Sequence, residues 1–461
     1  MSAPIAPERV LPTLNADGTR RWIRPRLYPG PKWRARRITA WALMTTFIAL
    51  PWLRMGGKPI VLLDVPRREF TLFGRTFLPT DGVLLMLLML AIFVAIVLVT
   101  AVVGRAWCGW ACPQTVYMEF LYRPIERWFE GGPGAKARRS GALRSLAKYV
   151  TFLAVSVLIG NTFLAYFVGT DALVRWAGQS PFQHPEPFLV MAAVSALAFF
   201  DFAYFREQMC TVVCPYARLQ SVLLDRRSLL VGYDTRRGEP RSKGKPQPGS
   251  GDCIDCGACV KTCPTGIDIR KGLQLECIAC TQCADACDSI MARIGKPAGL
   301  IRYAAQESIE TGGRARVLRP RVVVYAGILL VLLTALIATA GTKTRAEVMV
   351  LRAVGAPFEL RNGLATNQIR VKVQNRSDVP ASYRIELLGA PGARLIAPEN
   401  PLAVPAHEQR STSVFVMIEP RLLPHGQRPV RFRVSDGNAF SVEVPYDLLG
   451  PETAAPVGGR P

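Results

Sequence analysis

Histidine is scarce. The 461 residues contain three, His184, His407 and His425. No apolar stretch carries a histidine pair to hold haem, and no Cys-x2-Cys-His occurs, so a haem-based quinol oxidase is excluded. A Gly-rich dinucleotide fingerprint after a strand is missing, as is a P-loop. Any electrons the chain handles must therefore come from another protein or a small donor, which the sequence does not identify. Acidic residues are also in the minority, 34 against 57 Lys and Arg, for a net charge of +23. Cysteine is absent from residues 343–461 and from the segments 54–81 and 169–186.

Apolar residues, by contrast, make up half of the chain and come in blocks. Five stand out: 38–53, 82–104, 149–168, 187–205 and 322–341. A helix needs roughly 17–25 apolar residues to cross a bilayer. Four blocks meet that easily; the first is marginal and carries Pro51. About five transmembrane helices are expected. The first 37 residues hold nine Lys/Arg and no short apolar core with a cleavage site, so they read as a basic cytoplasmic arm rather than a secretory signal. Six prolines argue against a stable helix there.

The positive charge sorts by membrane side. Segments 1–37, 105–148 and 206–321 carry 9, 8 and 19 Lys/Arg, against 5 and 1 in 54–81 and 169–186. This positive-inside pattern places the N-terminus and the long 206–321 segment in the cytoplasm and the tail in the periplasm. Attraction to the lipid bilayer's anionic headgroups accounts for the charge without nucleic acid. The twelve cysteines all fall on the cytoplasmic side by this topology, where disulfides are rare and thiols serve metals or redox chemistry.

The sharpest motif is Cys253-x2-Cys256-x2-Cys259-x3-Cys263-Pro, repeated as Cys277-x2-Cys280-x2-Cys283-x3-Cys287. Three closely spaced thiolates wrap one face of an iron–sulfur cube, and in this motif the fourth cysteine ligates the other cluster. Cys253, Cys256, Cys259 and Cys287 are thus expected to hold one [4Fe–4S] cluster, and Cys277, Cys280, Cys283 and Cys263 a second. Zinc favours two separated cysteine pairs instead. Two such clusters in one small fold make a one-electron relay.

A second pair of motifs follows apolar blocks: Cys108-Gly-Trp-Ala-Cys112-Pro113 and Cys210-Thr-Val-Val-Cys214-Pro215. The unit looks duplicated, each copy running on into an amphipathic stretch, 114–129 and 216–230. The four thiols are expected to converge on one site. Each proline suits the first turn of a following helix, where a thiol gains thiolate character. Thiolates select Cu(I), zinc or an iron–sulfur cluster. Asp201 lies inside the fourth block; an intramembrane carboxylate is a functional suspect, with Asn161 or a tyrosine as its expected partner. Trp107 and Trp110 read as interface anchors. The tail alternates at 347–352, 368–374, 382–388, 411–418, 429–434 and 439–444, with turn residues between, which predicts a β-sandwich. Asn375-Arg376-Ser377 reads as a hairpin turn rather than a glycosylation site.

The domain reading is a basic arm (1–37), a four-helix membrane domain (38–234), a cytoplasmic 2[4Fe–4S] ferredoxin-like domain (235–320), a fifth helix (321–342) and a periplasmic sandwich (343–461). Cys108-Gly-Trp-Ala-Cys112-Pro-Gln, Cys210-Thr-Val-Val-Cys214-Pro-Tyr-Ala-Arg and the run from Cys263 to Cys277 resemble the cytochrome c oxidase accessory proteins known as CcoG, FixG or RdxA. The resemblance implies an inner-membrane protein with an immunoglobulin-like tail. It implies reduction of cytoplasmic Cu(II) to Cu(I) for assembly of a cbb(3)-type oxidase, with a copper-exporting P-type ATPase and assembly factors as partners. Cys108, Cys112, Cys210 and Cys214 would then capture or reduce copper. Self-association into a homo-oligomer is left open. The rival readings are an electron conduit from quinol to a partner protein, and a docking module whose clusters are structural.

Overall fold

The computed structural model describes residues 13–451 apart from 16, 18, 67–68, 78–81, 133–140, 246, 314–317, 342–343 and 439. The first twelve residues of the basic arm and the last ten of the tail lie outside the described residues.

Four described helices are long and apolar enough to cross a membrane: Gly82–Val103, Ala142–Val168, Pro185–Phe205 and Pro320–Gly341. The block expected at 38–53 forms a helix, Pro31–Ala49, closed by a 3-10 turn, Leu50–Trp52. It falls short of the other four in apolar length, because its first turns carry Lys32, Arg34, Arg36 and Arg37. Pro31 does not prevent the helix: at the first position its missing N–H removes no hydrogen bond. Ala142–Val168 packs along Pro185–Phe205, where Gly160 leaves room for Ser195.

The arm is not loose where it is described. Arg26 N–H donates to Lys261 O at 2.9 Å, and Arg24 pairs with Glu130 at 2.7 Å. Asp285, on the helix Gln282–Arg293, accepts from the backbone N–H of Lys32 (3.3 Å) and Trp33 (2.6 Å). A carboxylate from another segment thus caps the positive end of Pro31–Ala49.

The cluster segment begins earlier than residue 235. The strand Leu229–Tyr233 pairs antiparallel with Ile301–Ala305, and both pack on the core formed by Ile267, Ile269, Met291 and Leu300. The stretch expected as a surface helix over 114–129 is a run of helical segments with a π-turn, Met118–Tyr122, and its Val116, Met118, Phe120 and Tyr122 are buried.

The tail, taken by itself, is a sandwich of antiparallel strands. One sheet holds Ala346–Arg352, Leu364–Asn375, Gln409–Ile418 and the short Arg394–Ile396 and Glu359–Arg361; the other holds Leu402–Val404, Ala381–Leu388, Gln427–Ser435 and Ser441–Leu449. Inward residues alternate along each long strand, as Ile369, Val371 and Val373 or Val430, Phe432 and Val434. Asn375 is fully buried; its amide donates to Val379 O, Val404 O and Pro405 O, and its carbonyl accepts from Tyr383 Oη. It ties the turn to the core.

Candidate metal centres

The two Cys-x2-Cys-x2-Cys loops share one backbone device. Asp255 and Gly257 in the first, and Ala279 and Thr281 in the second, all have φ between 49° and 66°. Left-handed residues flanking the middle cysteine curl each loop around a centre and turn backbone N–H groups inward. A helix then starts in each case, Ala258–Lys261 and Gln282–Arg293. These carry the fourth cysteines away from their own loops and toward the opposite ones.

The thiols sort into two quartets. Cys263, Cys277, Cys280 and Cys283 line one cavity together with Cys259, Ile267 and Ile269. The thiol of Cys287 has Cys259, Cys253 and Cys256 as its neighbours, and burial pushes it up to about 12. Burial likewise pushes Cys277 up to about 12 and Cys280 to about 11. Thiols so far removed from water become thiolates only against a strong positive centre, which iron supplies. Among the described residues, no three His, Cys, Asp or Glu side chains are spaced to hold a single metal ion. Quartets built on Cys-x2-Cys-x2-Cys loops suit multi-iron cubes better than single zinc ions. The inner quartet is the one holding Cys277, Cys280 and Cys283; the outer quartet holds Cys253, Cys256 and Cys259.

The Cys-x3-Cys-Pro motifs meet beside the inner quartet. The helix Gly82–Val103 ends at Gly104 (φ 59°), and the helix through Phe205 ends at Arg206 (φ 56°), so each copy of the repeat breaks just before its motif. At Arg206, a residue ill suited to that region, the break is held by an ion pair to Glu126 at 2.8 Å. Cys112 and Cys214 then serve as N-caps of Pro113–Tyr117 and Pro215–Leu223. Burial raises Cys108 to about 12, with Cys112 and Cys214 adding to the rise and Arg105 opposing it. Cys210 is raised by burial and then by Cys112, Cys108 and Cys214. All four thiols are therefore neighbours. The expected thiolate character is not present: the N–H groups of Gln114 and Thr115 do favour the Cys112 thiolate, but burial outweighs them. Cys108 Sγ instead donates to Gln220 Oε1 at 3.1 Å.

Both motifs touch the inner quartet. A Cβ at Gly109 would lie 2.5 Å from Ile278 O and 2.8 Å from Cys280 Cα, so only glycine lets the two backbones meet. Cys210 lines a small cavity with Pro264, Thr265 and Ile278, and Thr265 Oγ1 lies 3.4 Å from Cys263 Sγ. Trp110 is more than an interface anchor: its indole donates to Tyr303 Oη at 2.9 Å, and that hydroxyl donates to Ala279 O at 2.6 Å.

Asp201 is partnered by Gln114, whose amide donates to its carboxylate at 3.1 Å and to Arg206 O at 3.0 Å. Asn161, the partner expected from sequence, donates to Val157 O in its own helix. Sequence reasoning also passed over Arg36, Arg105, Gln114 and Gln220. Each polar side chain is close to a cysteine motif, in space or along the chain, and a conspicuous signal was available only for Arg36, a charge at the start of an apolar block.

Comparison with known proteins agrees with this arrangement. Residues 205–306 match a family model described as a 4Fe-4S dicluster domain, residues 85–133 a 4Fe-4S binding domain, and residues 336–451 the IG-like fold at the C-terminus of FixG. Protein RdxA of Cereibacter sphaeroides is 33% identical over 78% of this chain and 81% of its own. The nitrogen fixation protein FixG of Rhizobium meliloti is 32% identical over 82% of this chain and 81% of its own. Protein RdxB of Cereibacter sphaeroides is 32% identical over 83% and 86%. With a dicluster segment for two iron–sulfur clusters, apolar helices of membrane-crossing length and the immunoglobulin-like tail, the chain belongs to the FixG/RdxA family of iron–sulfur electron-transfer proteins.

Proposed function

We propose that the protein reduces Cu(II) to Cu(I) at the four Cys-x3-Cys-Pro thiols, with electrons delivered through the inner quartet. The observation that carries this reading is the backbone contact of Gly109 with Cys280, which joins a motif loop to a cluster loop with no side chain between them. In this reading Cys253, Cys256, Cys259 and Cys287 hold the outer cluster, and Cys263, Cys277, Cys280 and Cys283 the inner one. When bound, the clusters supply one-electron storage. Copper is the substrate: Cu(II) takes one electron and becomes Cu(I), and each thiol that ligates the ion gives up its proton. Cys108, Cys112, Cys210 and Cys214 offer soft sulfur donors, which favour Cu(I) over Cu(II) and so pull the reaction forward.

Five spans fit the same reading. Trp33 lies 6.3 Å from Phe120 at one end of Pro31–Ala49, and Phe47 O accepts from Tyr166 Oη at 2.8 Å at the other. One end of this helix thus lies by Phe120 and the other by Tyr166, near the end of Ala142–Val168, with Ile38, Trp41 and Ile48 facing outward. Five crossings would put the cysteines in the cytoplasm and the tail in the periplasm of a bacterial inner membrane. The product would then pass to a copper-exporting P-type ATPase for a cbb(3)-type oxidase, the tail serving as a docking module for assembly factors.

The test uses anaerobically purified protein with reduced clusters, freed of excess reductant and mixed with Cu(II) and a Cu(I)-specific chelator. Cluster reoxidation in step with Cu(I) formation is expected, with impairment when Cys108, Cys112, Cys210 and Cys214 are all changed to Ser. Reduced clusters that ignore Cu(II) but are oxidised by a quinone would replace copper reduction with the conduit reading.

A further inference from the structure

The two quartets sit in opposite electrostatic settings. Arg36, wholly buried, spends one hydrogen bond on Gly109 O (Nε, 2.8 Å), and both terminal guanidinium nitrogens find no partner among the described residues. Its planar head lies over the Phe120 ring at 5.4 Å and beside Cys280. Arg105 is also buried; it donates to the carbonyls of Leu275 and Ala217, forms no ion pair with a carboxylate among the described residues although Glu276 lies near it, and shares a cavity wall with Cys277. The one carboxylate that Cys280 senses, Glu119, is itself paired with Arg123 and accepts from Gln282.

The outer quartet differs. Its neighbouring cation, Arg270, is bound by both Asp268 (2.8 Å) and Asp255. Asp288 stands against Cys287, offset only by Lys32 at 3.4 Å. Among the described residues the inner centre thus faces two buried guanidinium groups with no hydrogen-bonded carboxylate, whereas Arg270 at the outer one is held by two. A buried charge without a partner is costly, and a quartet of thiolates around iron and sulfide is an anion that would satisfy it.

We propose that Arg36 and Arg105 are positioning charges that make the inner centre the stronger electron acceptor, so that electrons run from the outer quartet to the inner one and on toward the Cys-x3-Cys-Pro thiols. Reduction adds one negative charge, and nearby fixed positive charge stabilises the reduced state. One electron leaves the outer cluster and one enters the inner; no bond forms or breaks. This inference rests on the relay reading of the two clusters but not on copper.

The experiment is a redox titration of the loaded full chain in detergent, without copper, followed by electron paramagnetic resonance. Wild type should show two midpoints, the higher one surviving in Cys256→Ser, which removes an outer ligand. Arg36→Gln should lower that higher midpoint, weakening electron transfer from outer to inner by about tenfold, and should leave the lower midpoint in place. Arg36→Lys should restore most of the difference. Arg270→Gln should move the other midpoint. If Arg36→Gln or Arg105→Gln loses iron from the inner site while Arg36→Lys keeps it, the charge is still shown to be the requirement. Coincident midpoints in wild type, unchanged midpoints in fully loaded Arg36→Gln, or equal iron loss in Arg36→Lys would overturn the proposal. Failure of copper reduction would leave all of these readouts untouched.

Discussion

Gly109→Ala is the most exacting test of how closely the motif loop and the cluster loop are joined. The new methyl carbon would fall 2.5 Å from Ile278 O and 2.8 Å from both Cys280 N and Cys280 Cα, whereas ordinary contact begins near 3.4 Å. The obstacles are backbone atoms, so no side chain can swing aside. The two loops must part by roughly 1 Å, and forced overpacking of this kind costs about 1–3 kcal/mol. Parting also strains Arg36 Nε to Gly109 O and Trp110 Nε1 to Tyr303 Oη, which add about 1 kcal/mol each when lost. The expected total is about 3–5 kcal/mol. It should be read as a lower apparent melting temperature of the loaded protein in detergent. Stopped-flow mixing of the reduced protein with Cu(II) should show slower Cu(I) formation at unchanged iron content. Gly132→Ala is the control, since a Cβ there meets nothing within 4 Å. If Gly109→Ala melts and reacts like Gly132→Ala, the two loops are not in contact in the working protein and the proposed electron route is wrong.

Other expectations follow from particular contacts. Asp285→Ala uncaps the helix Pro31–Ala49 and should cost about 1–2 kcal/mol, measurable as faster proteolysis near residue 30. Asn375→Ala removes a fully buried amide that bonds three carbonyls, that of Val404 buried, and should destabilise the tail by about 1–3 kcal/mol, visible as an earlier thermal transition of that unit with the iron signals unmoved. Glu126 lies against Arg206, which holds its carboxyl below the usual range despite burial. A folded pKa below the unfolded one means that the stabilisation is complete above about pH 4.3 and fades as pH falls through the folded value. Acid should therefore loosen the second motif, and Glu126→Gln should remove that pH dependence at a cost of about 3 kcal/mol; equal acid sensitivity in the variant would count against the pair.

Much of the candidate site was legible because it rests on spacing. Three cysteines at two-residue intervals can wrap one face of a cube whatever surrounds them, and a fourth after a short helix must reach elsewhere. The duplicated Cys-x3-Cys-Pro motif and the apolar blocks were legible for the same reason: covalent geometry and bilayer thickness act along the chain. The alternating strands of the tail follow from a period of two with one buried face: five of the six expected runs lie within observed strands, and Ser441–Leu449 takes up the sixth from residue 441.

What the chain alone did not disclose depends on which segments meet. The helix Pro31–Ala49 looked marginal because its length is judged by apolar residues, yet Asp285 caps its first turn and Arg36 reaches the Gly109 carbonyl, both far away in sequence. The Cys112 thiol, at a helix start, was expected to be acidic; burial, a property of the assembled fold, reverses that. Asp201 found Gln114 rather than Asn161 because a break at Arg206 turns the chain back on itself. By itself the sequence determined which cysteines are grouped by spacing, the apolar helices and the sheet-forming tail, since each is set by local spacing. Only the tertiary structure decided that Gly109 rests on Cys280 and that unpaired arginines face one quartet and paired ones the other, because contact and charge compensation are made between segments that the sequence keeps apart.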